Sequence, residues 1–282
     1  MNRISILTPC FNSEKYIEET LLSILNNYAV LNKSVHLEYI LCDGGSSDDT
    51  VAIAERTLKN NMASNITFTI ISEKDEGMYD ALSKGLLKVS GDVCAYLNAA
   101  DLYSPFSLGT VSKAFAENKE KIRWLTGRAV IYSSDKVQVF NRLPYKYRSN
   151  LIQCGMYGSY FPHIQQESTF WVSELIDHLD LSRFRKFKLA GDLFLWSEFS
   201  KHTQLNIINT WLGGYRHHEG ALSTDIHSYE KEVSSFILSP TEKDYMQAEN
   251  DKRFWDMSDD LKVRWNSDSL FYYDRARDSF IT

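Results

Sequence analysis

The sequence predicts an α/β protein, a mostly parallel sheet flanked by helices, and two observations carry that prediction. Strand-like and helix-like segments alternate through the first hundred residues, the pattern of successive strand-helix-strand units. Polar clusters follow the apolar strands, on what such a fold makes a single carboxyl edge. Strands are expected at 4–8, 37–42, 66–72 and 92–97, separated by helices at 13–26, 48–58 and 77–88. In the first helix Tyr16, Ile17, Thr20, Leu21, Ile24 and Leu25 share one face, Glu14, Glu18 and Glu19 the other, and Ser13 stands at a cap position. The second helix follows "GGSSDD", where Ser and Asp side chains can satisfy the free amides of a first turn.

Beyond residue 104 the periodicity loosens. A helix is expected around 105–117, strands near 122–132 and 136–141, an aromatic loop-rich stretch, then helices near 171–178 and 191–201 and a strand in "NIINTWLGGYRHH". The tail past 225 is polar yet carries Trp255, Trp265, Phe271, Tyr272 and Tyr273, which argues for packed helices rather than disorder. With no repeat and no low-complexity linker, the expectation is one domain over residues 1–225, divided near 103, and a helical C-terminal extension over 226–282.

At 282 residues and 43% hydrophobic content the chain can bury a substantial core. A formal net charge of −6 without a long basic block argues against nonspecific nucleic-acid binding, so an anionic ligand must be held by local groups. Cys10, Cys42, Cys94 and Cys154 lie far apart, the first three in or at the end of apolar runs. They are expected to be buried free thiols in a reducing, cytoplasmic setting. No signal peptide is expected, because Arg3 leads into a short strand, and no run approaches the roughly eighteen apolar residues of a membrane span. The aromatic, partly basic stretch from Tyr145 to Tyr160 leaves room for peripheral membrane contact, although an aromatic wall is the plainer reading.

The strand ends carry the chemistry. Pro9, Phe11 and Asn12 after the first strand, with Asp43 after the second, would make a floor and a wall for a nucleotide base. "SEKDEGMYDALSKGL" places Glu73, Asp75 and Asp80 at one strand-to-helix junction; acids also favour a helix N-terminus for dipole reasons alone. After the fourth strand, "GDVCAYLNAADLYSP" supplies Asp101 where a divalent cation bridging phosphates would be held, though it could equally cap the next helix. No GxGxxG follows the first strand, which argues against a dinucleotide-binding dehydrogenase.

In this order, "TPCFNSEKYIEETLLSIL", "CDGGSSDDT", "SEKDEGMYDALSKG" and "GDVCAYLNAADLY" resemble family 2 glycosyltransferases of the GT-A fold, inverting enzymes that take a sugar from a nucleotide diphosphate. The resemblance runs to about residue 225 and loosens after 105. It implies that the ring of Phe11 packs on the base beside Pro9 and Asn12, and that Asp43 bonds the base edge. It implies that Glu73, Asp75, Asp80 and Lys84 lie by the ribose and donor sugar, with Lys74 and Ser83 as mild departures from the family pattern. Asn98 and Asp101 fall in the diphosphate and metal motif, but Ala100 stands where an Asp ligand is expected, and a methyl group cannot coordinate Mg²⁺ or Mn²⁺. The expectation is a chain impaired by Ala100, with a catalytically silent nucleotide-sugar or glycan binder as the alternative. "PHIQQESTFW" implies Gln166 and Glu167 at the acceptor, "LAGDLFLW" implies Asp192 as general base, and "GGYRHHEGALS" implies Arg216 over the diphosphate and His218 at the metal. The implied setting is bacterial surface polysaccharide assembly, with a UDP-sugar donor and a glycan or lipid-linked acceptor.

Overall fold

A computed structural model describes residues 3–218 and 226–282. The N-terminal half runs β1 (Arg3–Cys10), α1 (Ile17–Leu25), α2 (Tyr28–Leu31), β2 (His36–Asp43), α3 (Thr50–Asn60), β3 (Ile66–Ser72), α4 (Met78–Leu86) and β4 (Val93–Tyr96). Then come β5 (Leu102–Tyr103), α5 (Ser107–Glu117), β6 (Trp124–Thr126), β7 (Ala129–Tyr132), β8 (Gln138–Arg142), α6 (Ser149–Gln153) and β9 (Thr169–Val172). The remainder is α7 (Leu181–Phe184), α8 (Gly191–Ser200), β10 (Asn206–Ile208), β11 (Gly213–Arg216), α9 (Ile226–Ser234), α10 (Glu242–Trp255), α11 (Asp259–Trp265), β12 (Leu270–Asp274) and β13 (Ser279–Ile281).

The described strands form a large sheet ordered β13-β12-β10-β6-β9-β4-β1-β2-β3 and a smaller one ordered β5-β11-β7-β8. Strands β3, β2, β1 and β4 are parallel, so their carboxyl ends share one edge. The α/β architecture of the GT-A class is therefore present, and the four expected strands appear within about two residues of their predicted limits.

Local chemistry explains the boundaries. Helix α1 buries Ile17, Thr20, Leu21, Ile24 and Leu25 as its periodicity requires. Ser13 does not cap it by side chain: its carbonyl accepts from the amides of Tyr16 and Ile17, while its hydroxyl donates back to the Phe11 carbonyl. Before α3, Asp48 accepts from the amide of Thr50 at 3.0 Å, the side-chain satisfaction expected from "GGSSDD". All four cysteines are free and buried.

Three expectations change. The helix expected at 171–178 is instead strand β9 followed by a 3-10 turn over Ser173–His178, because Phe170 and Trp171 bury on the sheet between β4 and β6. The aromatic stretch Tyr145–Tyr160 does not face outward as a membrane contact. Tyr145, Tyr147 and Tyr157 are buried against Phe254, Trp255 and Phe161 of neighbouring elements, and Arg148 pairs with Asp251 of α10. Among the described residues no helix is long and apolar enough to cross a membrane. Finally, the segment past 225 supplies the expected helices but also two strands: β12 lies parallel to β10, pairing Ile207 with Leu270, so this segment extends the main sheet.

The core is continuous across both halves. Trp124 stacks on Trp196 at 5.5 Å, and Trp171 meets Trp196 edge-on at 5.7 Å, which joins β6, β9 and α8. On the donor side α4 lies unusually close to the sheet because Gly85 has no side chain; an added Cβ would come within 2.4 Å of Cys42 Sγ and 2.8 Å of Leu7 Cδ2. Overpacking of this kind costs about 1–3 kcal/mol. Gly85→Ala is expected to lower the urea-denaturation free energy by that amount, and an unchanged midpoint would refute the close approach.

Candidate active site

Every predicted site residue lies on or beside the carboxyl edge of the main sheet, and strand direction explains why. Residues 11–12, 73–80 and 98–101 follow β1, β3 and β4, and Asp43 ends β2. Strand β9 runs antiparallel to β4, so the turn Gln166–Ser168 that precedes it reaches the same edge. Helix α8 feeds β10, which is parallel to β6, and a helix in such a unit starts at the carboxyl edge; Asp192 occupies its first turn.

On the donor side Phe11 is 62% exposed, an aromatic face left uncovered at a strand end. Pro9, buried and in register with Cys42, fixes the strand beneath it. Asn12 takes a left-handed conformation (φ 48°), and its side-chain oxygen accepts from the amide of Ser47 at 2.9 Å, which ties the first strand end to the second. Asp43 is buried and organises the following turn, accepting from the amides of Gly45 and Ser46 at 3.1 Å and from the hydroxyl of Ser72 at 2.7 Å. Asp43, Glu73, Asp75 and Lys84 line a recess with Cys42, Ile71 and Ala81. There Lys84 pairs with Glu73 at 2.9 Å and Asp80 at 3.6 Å, and Arg185 meets the other oxygen of Asp80 at 2.6 Å. Burial raises the Asp75 carboxyl above the ordinary range, with the Gly77 amide opposing it at 2.8 Å. Gly77 precedes α4 at φ 127°, a conformation that favours glycine.

The turn after β4 is built around Arg216. The Arg216 amide donates to Asp101 Oδ1 at 2.9 Å and its Nε to the Ala100 carbonyl at 2.6 Å. Its guanidinium pairs with Glu19, lies 4.9 Å from the centre of the Tyr16 ring, and is 2% exposed. Nη2 is buried with no hydrogen-bond partner among the described residues. Glu19 also holds Lys136, at the β7–β8 hairpin, at 2.7 Å. The sequence assigned Glu19 only to a polar helix face, since nothing local signals a partner nearly two hundred residues away. His218 packs its ring 5.1 Å from that of Tyr16, and the part of its loop beyond it, 219–225, lies outside the described residues.

In the turn before β9, Gln166 donates to the Tyr96 carbonyl and accepts from Asn98 Nδ2 at 3.4 Å, docking that turn onto the end of β4. Glu167 and Asp101 are buried and interact electrostatically. Burial, with the neighbouring carboxyl, raises Asp101 well above the carboxylate range, and burial pushes Glu167 up to about 7. Burial likewise raises Asp192, opposed by the Leu193 amide at 2.7 Å and by His163.

Mg²⁺ and Mn²⁺ are commonly held by one or two carboxylates, with phosphate oxygens and water completing the shell. Asp101, buried beside a second carboxyl, fits that donor set, and Ala100 contributes only its carbonyl, already bonded to Arg216. Among the described residues no three His, Cys, Asp or Glu side chains converge into a ready-made cage, so such an ion would draw its remaining ligands from elsewhere.

Comparison with known proteins bears on the family and the fold. The model of the family described as glycosyl transferase family 2 matches residues 5–179. An uncharacterized glycosyltransferase of Haemophilus influenzae is 31% identical over 101 residues, which span 36% of this chain and 37% of the relative. Chondroitin synthase of Escherichia coli is 30% identical over 102 residues, 36% of this chain and 14% of that protein. The minor teichoic acid biosynthesis protein GgaA of Bacillus subtilis is 31% identical over 117 residues, 41% and 25% of the two chains. The aligned stretch thus spans little more than a third of the first of these relatives. Among solved structures, S. aureus TarS 1-349 in complex with UDP-GlcNAc superposes with a TM-score of 0.60 at 16% identity, over 95% of this chain and 71% of that one.

The Glu167 carboxyl yields a prediction with a definite sign. Its folded pKa of about 7 lies above the ordinary 4.5, so between those values the folded protein holds a proton that the unfolded chain has released. Stability therefore falls as pH rises through that window. In EDTA-treated protein, Glu167→Gln should flatten this fall between about pH 5 and pH 8 in urea denaturation; an unchanged profile would contradict the assignment.

Proposed function

The chain belongs to glycosyl transferase family 2, and on that premise we propose that it moves a sugar from a nucleotide diphosphate sugar to a glycan or lipid-linked sugar in bacterial surface polysaccharide synthesis. The chondroitin synthase and teichoic acid biosynthesis relatives support that setting, and the UDP-GlcNAc complex of the TarS structure supports a UDP-sugar as donor. The corresponding place of action is the cytoplasmic face of the membrane.

The single observation that carries the reading is the gathering on one sheet edge of an exposed ring, Phe11, a buried cation, Arg216, and a half-buried carboxyl at a helix start, Asp192. In the inverting reaction proposed, Asp192 takes the proton of the acceptor hydroxyl, whose oxygen bonds to the anomeric carbon as the bond to the diphosphate breaks. Burial raises the proton affinity of Asp192, which suits a base. Arg216, whose Nη2 has no hydrogen-bond partner among the described residues, meets the charge that develops on the leaving diphosphate. Asp101 and His218 would hold Mn²⁺ or Mg²⁺ there, adding positive charge at the same oxygens. Phe11 and Asp43 serve the base, Glu73, Asp75, Asp80 and Lys84 the ribose and donor sugar, and Gln166 and Glu167 the acceptor side.

Ala100 favours a second reading, a silent binder of the same fold, because a carboxylate ligand is missing from the turn. Calorimetric titration of the chain and of Ala100→Asp with UDP and GDP, with and without Mn²⁺, separates the two. Metal-enhanced UDP binding and turnover gained only in Ala100→Asp mean an impaired transferase; binding without turnover in both supports the binder, and no binding in either sinks the proposal. In whichever form turns over, Asp192→Asn is expected to lower kcat by roughly 10²–10⁴-fold with UDP affinity retained. Unchanged kcat would remove Asp192 as the base.

A further inference from the structure

The turn that leads into α8 is fixed by a side chain from the C-terminal segment. Glu232, on α9, accepts from three consecutive backbone amides, those of Lys188 at 2.8 Å, Leu189 at 2.9 Å and Ala190 at 2.8 Å. Those amides stand at the approach to a helix, where no helical carbonyl can receive them. Helix α9 is seated for this contact: Val233 packs on Ala190 and Leu193, and Phe236 meets Phe187 and Phe194 edge-on. The other side of the turn is tied to the donor half. Lys188 Nζ donates to the Glu76 carbonyl, the Tyr79 hydroxyl to the Leu189 carbonyl at 3.2 Å, and Gly191 lies against the Tyr79 ring. Asp192 is the next residue.

We propose that Glu232 is a positioning residue for Asp192: by pinning residues 188–190 it sets the depth and direction at which the Asp192 carboxylate meets an acceptor hydroxyl. The proposal rests on the transferase reading in which Asp192 is the base. It also makes the segment beyond 225 part of the catalytic unit rather than an appendage. The two carboxylate oxygens divide the work, Oε1 receiving Lys188 and Oε2 receiving Leu189 and Ala190. Glutamine, with one acceptor oxygen, can keep the Leu189–Ala190 pair, whereas alanine loses all three bonds.

The test compares the full chain with Glu232→Ala and Glu232→Gln. It reads hydrogen exchange over residues 186–194, UDP affinity by calorimetry, and UDP release from UDP-GlcNAc. In Glu232→Ala, exchange at 188–190 should accelerate and kcat fall roughly tenfold to a hundredfold, with KM and UDP affinity within about twofold; a small misplacement of a reacting group is enough for such a loss. Glu232→Gln should recover most of both. Unchanged exchange, unchanged kcat, a loss expressed in KM alone, or no recovery in Glu232→Gln would each overturn the proposal. Kinetics are read in whichever background turns over, the parent chain or Ala100→Asp; UDP release from neither counts against the transferase reading alone, and the exchange comparison then decides whether Glu232 holds the turn.

Discussion

The parallel register of β1 with β2 and β4 is the constraint on which the remaining structure depends. Cys10 stands opposite Asp43 and Leu7 opposite Tyr96, so β1 and β2 end level and β4 ends three positions short of them on the same edge. Backbone groups beyond those ends have no strand partner and must find others, and they find them locally. Asp43 gathers the amides of Gly45 and Ser46, Asn12 takes that of Ser47, and the turn at 98–101 folds onto its own Asn98 carbonyl. The polar lip of the cleft follows from sheet hydrogen bonding that has run out of strand.

Electrostatics at that lip is a matter of buried charges held by few partners. Arg216 would be costly to bury alone, and Glu19, the Tyr16 ring and the Ala100 carbonyl offset the loss of water. Beside it, burial and then the Glu167 charge raise the proton affinity of Asp101, and burial, with the charge of Asp192, raises that of Glu167. A buried cation and acids with enhanced proton affinity therefore stand side by side at this edge.

The donor half was legible in the sequence because its strands and helices are strongly periodic and short loops join them. Phe11, Asp43, Asp101 and Asp192 stand where the motif order located them, at strand ends or a helix start. Other features had no local trace. "TFWVSELIDH" has apolar spacing compatible with a helix, and only the slot between β4 and β6 makes Thr169–Val172 a strand. The left-handed Asn12 follows from a bond to Ser47, thirty-five residues away. Glu19 and Glu232 read as ordinary surface acids because their partners, Arg216 and residues 188–190, come from distant parts of the chain. Long-range pairing of single side chains leaves no periodic signature.

The placement of β12 has a consequence for how the molecule is made. Strand β10 pairs with β6 on one side and with β12 on the other, and β12 comprises Leu270–Asp274. During synthesis the donor half can close its own sheet once β4 has emerged, whereas β10 keeps an open, aggregation-competent edge until some sixty further residues have been added. The half that carries Asp192 is thus the last to be finished, and ribosomes that stall in that interval leave a chain with a complete N-terminal sheet and an unsealed edge.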